Sequence, residues 1–283
     1  MRTSQAEKGR LFRALHARSS TFVIPNPWDA GTARLLAHAG FEALATTSAG
    51  YAFSVGRSDG SIRRDEMLAH VAAIAAATDL PVSADLEHGY GDEPGAAAET
   101  IRRAAAAGLV GGSIEDSTGR ADEPLFATAH AADRIRAAAE AANGLPFPFM
   151  LTARAENYLV GRPDIKDTIK RLQAYQEAGA DVLYAPGLVS RDDIAAVVGS
   201  VDRPVNVVMG LQGARMTLAE LSALGVRRIS TGSALSRAAL GAFMRAAREM
   251  QELGSFTFAD EALSSRELNT LFKADAGDLS SAG

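Results

Sequence analysis

The chain contains no cysteine. That removes disulfides, thiolate nucleophiles and cysteine-ligated zinc or iron–sulfur centres. Lysine is almost as scarce, confined to Lys8, Lys166, Lys170 and Lys273. None of these stands at the end of an apolar run, so imine-forming aldolase and pyridoxal chemistry lack their nucleophile. Long hydrophobic runs are also missing. No segment is apolar for long enough to span a bilayer, and the N-terminus has no core of signal-peptide length, so a cytoplasmic location is expected. The 29 basic residues are outnumbered by 34 acidic ones, which argues against nucleic acid or an anionic membrane and leaves a small molecule as the expected partner.

What is present is a regular alternation. Strand-like runs cover 22–26, 43–48, 81–85, 111–115, 148–153, 181–185, 204–208 and 227–231. Helical patterns follow them at 31–39, 64–77, 96–107, 128–142, 165–178, 192–198, 218–224 and 234–253. Several helices run into a glycine that leads to the next strand (Gly40, Gly108, Gly179, Gly225), and Thr128, Asp192 and Thr217 are placed to cap helix starts. Eight such units in 283 residues predict a single α/β domain over 1–283, a (β/α)8 TIM-type barrel. Residues 254–283 read as a C-terminal extension, with a helix over 259–272 and then a polar tail.

Barrel enzymes keep their chemistry where strands end. Strand three ends in Ala84-Asp85-Leu86-Glu87-His88-Gly89. Asp85 and Glu87 are two apart and share a face, so two carboxylates repel unless something holds them together. A hard divalent cation such as Mg2+ is suited to that task. Strand four adds Glu115 and Asp116, one of them expected to be solvated. Arg154 from strand five offers a planar fork for an anionic substrate group, or else anchors an ion pair at the rim. Thr47-Ser48-Ala49-Gly50-Tyr51 ends strand two, and Tyr184, Asn206, Thr231 and Ser233 end strands six to eight. His88 reads as a general base or a turn residue. Tyr51 and Tyr184 read as pocket walls or proton donors.

Taken together, Asn26-Pro27-Trp28-Asp29-Ala30, Ser83-Ala84-Asp85-Leu86-Glu87-His88-Gly89-Tyr90-Gly91, Gly112-Ser113-Ile114-Glu115-Asp116, Thr152-Ala153-Arg154-Ala155-Glu156 and Pro204-Val205-Asn206-Val207 resemble the isocitrate lyase and phosphoenolpyruvate mutase superfamily. The resemblance implies a barrel whose last helix is exchanged between subunits, in a dimer or a dimer of dimers. It implies Mg2+ (or Mn2+) held directly by Asp85 and, through water, by Glu87 and Glu115. It makes Ser48 with the following backbone of Ala49, Gly50 and Tyr51, together with Asp59, Arg154 and Asn206, the substrate-binding set. The shared chemistry breaks or forms a C–C or P–C bond next to an α-keto acid through an enolate.

The departures are equally informative. The Lys-Lys-Cys-Gly-His loop of the isocitrate and methylisocitrate lyases is replaced by Ser117-Thr118-Gly119-Arg120-Ala121-Asp122. The mutases' lysine and asparagine are absent there as well, with Arg120 the one basic residue nearby. Thr118 falls where phosphonopyruvate hydrolases carry a nucleophilic threonine. The expected activity is a Mg2+-dependent lyase acting on a small α-keto or α-hydroxy di-acid, oxaloacetate-like, with His88, Tyr51 or Glu156 as the acid/base group. Phosphonate chemistry and an α-keto-acid-binding homologue without turnover are the alternatives.

Overall fold

The structure, a computed structural model, describes residues 2–274. Eight parallel strands occupy Phe22–Ile24 (β1), Leu44–Ala45 (β2), Val82–Asp85 (β3), Gly111–Glu115 (β4), Met150–Arg154 (β5), Val182–Tyr184 (β6), Val205–Val208 (β7) and Arg228–Ser230 (β8). They pair in the order β1-β8-β7-β6-β5-β4-β3-β2. The remaining seam, between β1 and β2, is stitched by Ala45 N–H donating to the Pro25 carbonyl at 3.1 Å. Asn26 completes it, donating to the Thr46 carbonyl (2.9 Å) and accepting from the amides of Thr231 (2.8 Å) and Gly232 (3.0 Å). The result is a nearly closed (β/α)8 barrel.

Helices Ala30–His38 (α2), Arg64–Ala76 (α4), Pro94–Ala106 (α5), Thr128–Asn143 (α6), Ile165–Glu177 (α7), Arg191–Gly199 (α8), Leu218–Ala223 (α9) and Ala234–Arg248 (α10) form the outer layer. Their inward faces are rich in alanine, and Ala97, Ala104 and Ala138 are fully buried beside Ile101. Small side chains let α5 and α6 approach closely. At the end of α7 the chain turns through Gly179 at φ 104, where a Cβ would also sit 3.0 Å from that of Ala139. Thr217 caps α9 as expected, but Ser190, not Asp192, caps α8, and Thr128 lies inside α6 after an Ala127 that makes no side-chain cap.

Two helices fall outside the expected alternation. Gln5–Ala17 (α1), started by a Ser4–Glu7 capping box, plugs the bottom of the barrel. Its Phe12 and Leu15 join Phe22, Val110, Met150 and Val182 in a second apolar cluster. Gly111 leaves the room for this plug, since a Cβ there would meet the Phe12 ring at 2.7 Å. Ser48–Ser54 (α3) begins where strand two was expected to continue, because Thr47 turns its hydroxyl onto the Gly50 amide and caps a helix. The expected final helix to 253 changes to a π-helical turn at Glu249–Leu253, and the helix expected over 259–272 is a 3-10 turn, Thr257–Glu261, followed by Ser265–Ala274 (α11). α11 folds back on α2 of its own chain, with Arg34 donating to the Phe272 carbonyl at 2.7 Å. The tail after 274 lies outside the described residues.

Candidate active site

The strand ends at the barrel's C-terminal rim open into a cavity of about 400 Å3. Register brings the charged residues together, since Glu115 on β4 lies beside Arg154 on β5, and Arg154 beside Tyr184 on β6. Arg154 is the hub. Its Nη1 pairs with Asp85 Oδ1 at 2.9 Å, Nη2 with Glu115 Oε2 at 3.2 Å and Nε with Glu156 Oε1 at 2.8 Å. The guanidinium also lies 5.2 Å from the centre of the Tyr184 ring. The second oxygen of Asp85 accepts from the Ser48 hydroxyl (2.7 Å) and amide (3.2 Å), the start of α3 being aimed at it.

Glu87 completes the acidic group under strain. It adopts φ 47, and Tyr90 three residues on adopts φ 60, both in the left-handed region that side chains with a Cβ rarely enter. Arg134 from α6 holds that loop, donating to the carbonyls of His88, Gly91 (2.8 Å) and Glu115 (3.3 Å). Glu87 Oε1 is buried with no hydrogen-bond partner. Burial, then the charges of Asp85 and Asp59, push its pKa up to about 8 against the pull of Arg154. Burial likewise raises Glu115 and Glu156, while Arg154 opposes it. Arg154 itself stays charged despite its burial because Glu156, Glu115 and Asp85 surround it. Asp59, at the outer edge of the cavity, is raised by partial burial and by Asp85. His88 is lowered by burial and by Arg134.

A divalent cation fits this donor set. Among the described residues no three carboxylate or imidazole groups converge closely enough to ligate an ion together. A hard cation that keeps several waters needs only one direct carboxylate, with the others reached through its shell. The unpartnered oxygen of Glu87 is a buried acceptor waiting for such a shell, and a rim with four carboxylates and one arginine lacks positive charge.

The expected substrate-site residues divide. Ser48, Ala49, Asp59, Asp85, Glu87, His88, Glu115, Arg154 and Asn206 all line the cavity, with Glu156 and Tyr184. Four residues are placed elsewhere. Tyr51 stacks on His70 with ring centres 3.6 Å apart instead of facing the cavity, and Gly50 is buried against Trp28. Thr118 turns into its own loop, its hydroxyl donating to the Glu123 carbonyl and accepting from the Arg120 amide at 3.0 Å. Asp116 is not a solvated loop residue; it is 2 % exposed. It accepts from the Glu156 amide (2.8 Å), from Arg171 Nη1 (3.0 Å) and from the Tyr175 hydroxyl, tying the end of β4 to that of β5. Arg228 also lines the cavity and was not among the expected site residues. Its signal was an arginine at the start of the eighth strand, two residues before Ser230 and so on the same face.

The family model for phosphoenolpyruvate phosphomutase matches residues 12–251. A crystal structure of a protein from Burkholderia cenocepacia J2315, described only provisionally as a lyase/mutase, is 64% identical, covers 95% of this chain and 96% of its own, and superposes with a TM-score of 0.93. A phosphonopyruvate hydrolase solved with oxalate and Mg2+ is 25% identical with a TM-score of 0.84, over 96% of this chain and 97% of its own. The oxaloacetate decarboxylase of Pseudomonas savastanoi pv. phaseolicola (strain 1448A / Race 6) is 29% identical over 259 residues, 89% of this chain and 88% of its own length. The chain is an enzyme of the isocitrate lyase and phosphoenolpyruvate mutase superfamily that its motifs resemble, and it belongs to the phosphoenolpyruvate phosphomutase family.

Proposed function

We propose that the protein is a Mg2+-dependent lyase that breaks or forms the carbon–carbon bond beside the keto group of a small, oxaloacetate-like α-keto or α-hydroxy acid, through an enolate. The observation that carries this reading is the convergence of Asp85, Glu87 and Glu115 on one rim around Arg154, with the Ser48 amide and hydroxyl against Asp85. Asp85 would hold Mg2+ or Mn2+ directly, and Glu87 and Glu115 through water. Bound there, the ion supplies a Lewis acid for the negative charge that develops on the keto oxygen.

The chain's own groups do the rest. The Arg154 fork and the Ser48 hydroxyl, occupied here by carboxylates, exchange them for the substrate's acid group. Asn206 and Tyr184 form the wall beneath it. Of the proton carriers lining the cavity, Glu156 is raised by burial and suits an acid, and His88 is lowered by burial and suits a base. Decarboxylation needs little beyond the stabilised enolate, and the oxaloacetate decarboxylase relatives support it. Phosphonate cleavage is the second reading, favoured by the phosphonopyruvate hydrolase likeness but not by Thr118, whose hydroxyl is spent within its loop. A homo-oligomer is proposed as well, supported by the apolar face its C-terminal helices leave uncovered.

Release of CO2 and pyruvate from oxaloacetate is the first measurement, beside phosphorus NMR of phosphonopyruvate. Activity is expected to vanish in EDTA, return with Mg2+, and fall by at least about a hundredfold in Asp85→Ala. Full turnover of metal-stripped protein would sink the reading, and phosphate release from phosphonopyruvate alone would move it to P–C chemistry.

A further inference from the structure

The layer beneath the carboxylates is polar, where barrel interiors are ordinarily filled by branched aliphatic side chains. Ser83, Ser113, Thr152, Asn206 and Ser230 point into it and are all buried. In their midst lies the guanidinium of Arg228, a residue 5% exposed. Its Nε donates to Asn206 Oδ1 at 2.8 Å, its Nη2 to Thr152 Oγ1 at 3.0 Å, and its Nη1 lies 3.3 Å from His16 Nε2.

Every one of these acceptors is neutral. The His16 Nδ1 is 2.8 Å from the Phe12 carbonyl, which places the ring proton there and leaves Nε2 free to accept from Arg228. Burial holds His16 uncharged, with its pKa pulled down to about 3. Among the described residues no carboxylate stands within ion-pair reach of Arg228. Among the described residues three of its five N–H groups find acceptors, one on each nitrogen. Arg154 and Arg171, also largely withdrawn from solvent, each hold carboxylates, whereas the fully buried Arg134 holds three backbone carbonyls. A buried cation with no countercharge is costly, and the pull of burial on Arg228, down to about 10, expresses that cost.

Arg228, Asn206 and Ser230 line the same cavity as Asp85 and Glu115. Thr152 lies two residues below Arg154 on β5, which at ordinary strand rise and tilt is roughly 5 Å along the barrel axis. The cavity is therefore polarised along its depth. Its rim carries surplus carboxylates and its floor a surplus cation.

We propose that the floor of the cavity is an anion subsite built on Arg228, with the Ser113 and Ser230 hydroxyls as its neutral walls. It takes a carboxylate, either the distal acid group of a dicarboxylic α-keto acid extended down the barrel or a small free anion. The first source rests on the reading of the rim given above; the second does not.

Two measurements decide. Bromide soaked into crystals of the wild-type protein and located by anomalous scattering is expected within hydrogen-bond reach of Arg228. Titration calorimetry with Mg2+ present compares 2-oxoglutarate with 2-oxopentanoate, which differ only in the distal acid group, and oxalate, which occupies the rim alone. The wild type is expected to prefer the diacid by about tenfold or more, and Arg228→Gln to lose that preference while keeping its oxalate affinity within about twofold. Bromide at the floor without a diacid preference assigns the subsite to a free anion. Ordered water alone at the floor, with no diacid preference, overturns the proposal. So does equal weakening of all three ligands in Arg228→Gln, which makes Arg228 a structural residue. The bromide map and the wild-type preference do not depend on the variant folding. Failure of oxalate to bind with Mg2+ counts against the rim, and the bromide map then decides the floor by itself.

Discussion

Asp116 follows Glu115 directly, and that single step along a strand carries its carboxylate from the cavity to the layer between barrel and helices. There its charge, which burial opposes, is matched by Arg171 and by the Tyr175 hydroxyl. Asp116→Ala leaves Arg171 with Asp167, at 2.7 Å, and the Phe126 carbonyl, at 3.0 Å. It is expected to lower the unfolding free energy by about 3 kcal/mol, the low end for breaking a buried pair because one carboxylate partner remains. Tyr175→Phe, which removes one hydrogen bond, costs about 1 kcal/mol. Urea unfolding of both variants checks this, and equal losses would mean that Asp116 does not hold Arg171 as an ion pair. The same one-residue step marks what the sequence could and could not reveal. Asp85, Glu115 and Arg154 were legible because they close β3, β4 and β5, and Glu87 because it follows Asp85 by two; Asn206 was read at the end of strand seven but lies inside β7. Which way a neighbouring side chain turns depends on loop hydrogen bonds, as with Thr118, or on a helix too short to show a period, as with Tyr51.

At the level of elements, the eight strand–helix units were readable from alternation and from the glycines that stop helices. The plug α1 was not, although its signals are present in Ser4-Gln5-Ala6-Glu7, a capping box pattern, and in the helical spacing of Lys8, Phe12, Leu15 and His16. It stands before the first strand, where a barrel repeat predicts nothing. The plug brings a pH dependence with it. His16 is buried neutral with a folded pKa of about 3, against about 6.5 when unfolded. Between those values the unfolded chain binds a proton that the folded chain refuses. The stability His16 protects is therefore complete above about pH 6.5 and is lost as pH falls toward 3. By pH 5 the loss is about 2 kcal/mol. His70, lowered to about 4 by burial, acts in the same direction, so the comparison must be with a variant. His16→Gln keeps an acceptor for Arg228, and its denaturant midpoint is expected to change less than that of the wild type between pH 6.5 and 5. Parallel curves would remove His16 as the cause.

For the whole molecule, the exposed large apolar side chains among the described residues are single and scattered (Leu11, Val55, Leu159, Val189, Leu218) except along α10 and the turn after it. Leu240, Phe243 and Met244 recur at helical spacing on one exposed stripe, Phe243 being 67% exposed. The stripe continues through Leu253 at 75% and Phe256 at 65%. Scattered apolar residues on a surface need no partner, but a contiguous stripe of large ones marks an interaction face. Fully burying each of these side chains is worth about 1.5–3 kcal/mol, enough in sum to hold identical chains together. The resemblance implies that the last helix is exchanged between subunits, so the occupant proposed for this face is another copy of the chain. α11, which lies on α2 of its own chain through Arg34 and Phe272, is the element such an exchange would move. Light scattering is expected to give a mass of two or four times 29.5 kDa. Phe243→Glu places a charge in the middle of the stripe and is expected to shift the protein to single chains without unfolding it, since that side chain contributes nothing to the barrel core. A monomeric wild type, or an oligomer indifferent to Phe243→Glu, would show that this stripe is not the interface.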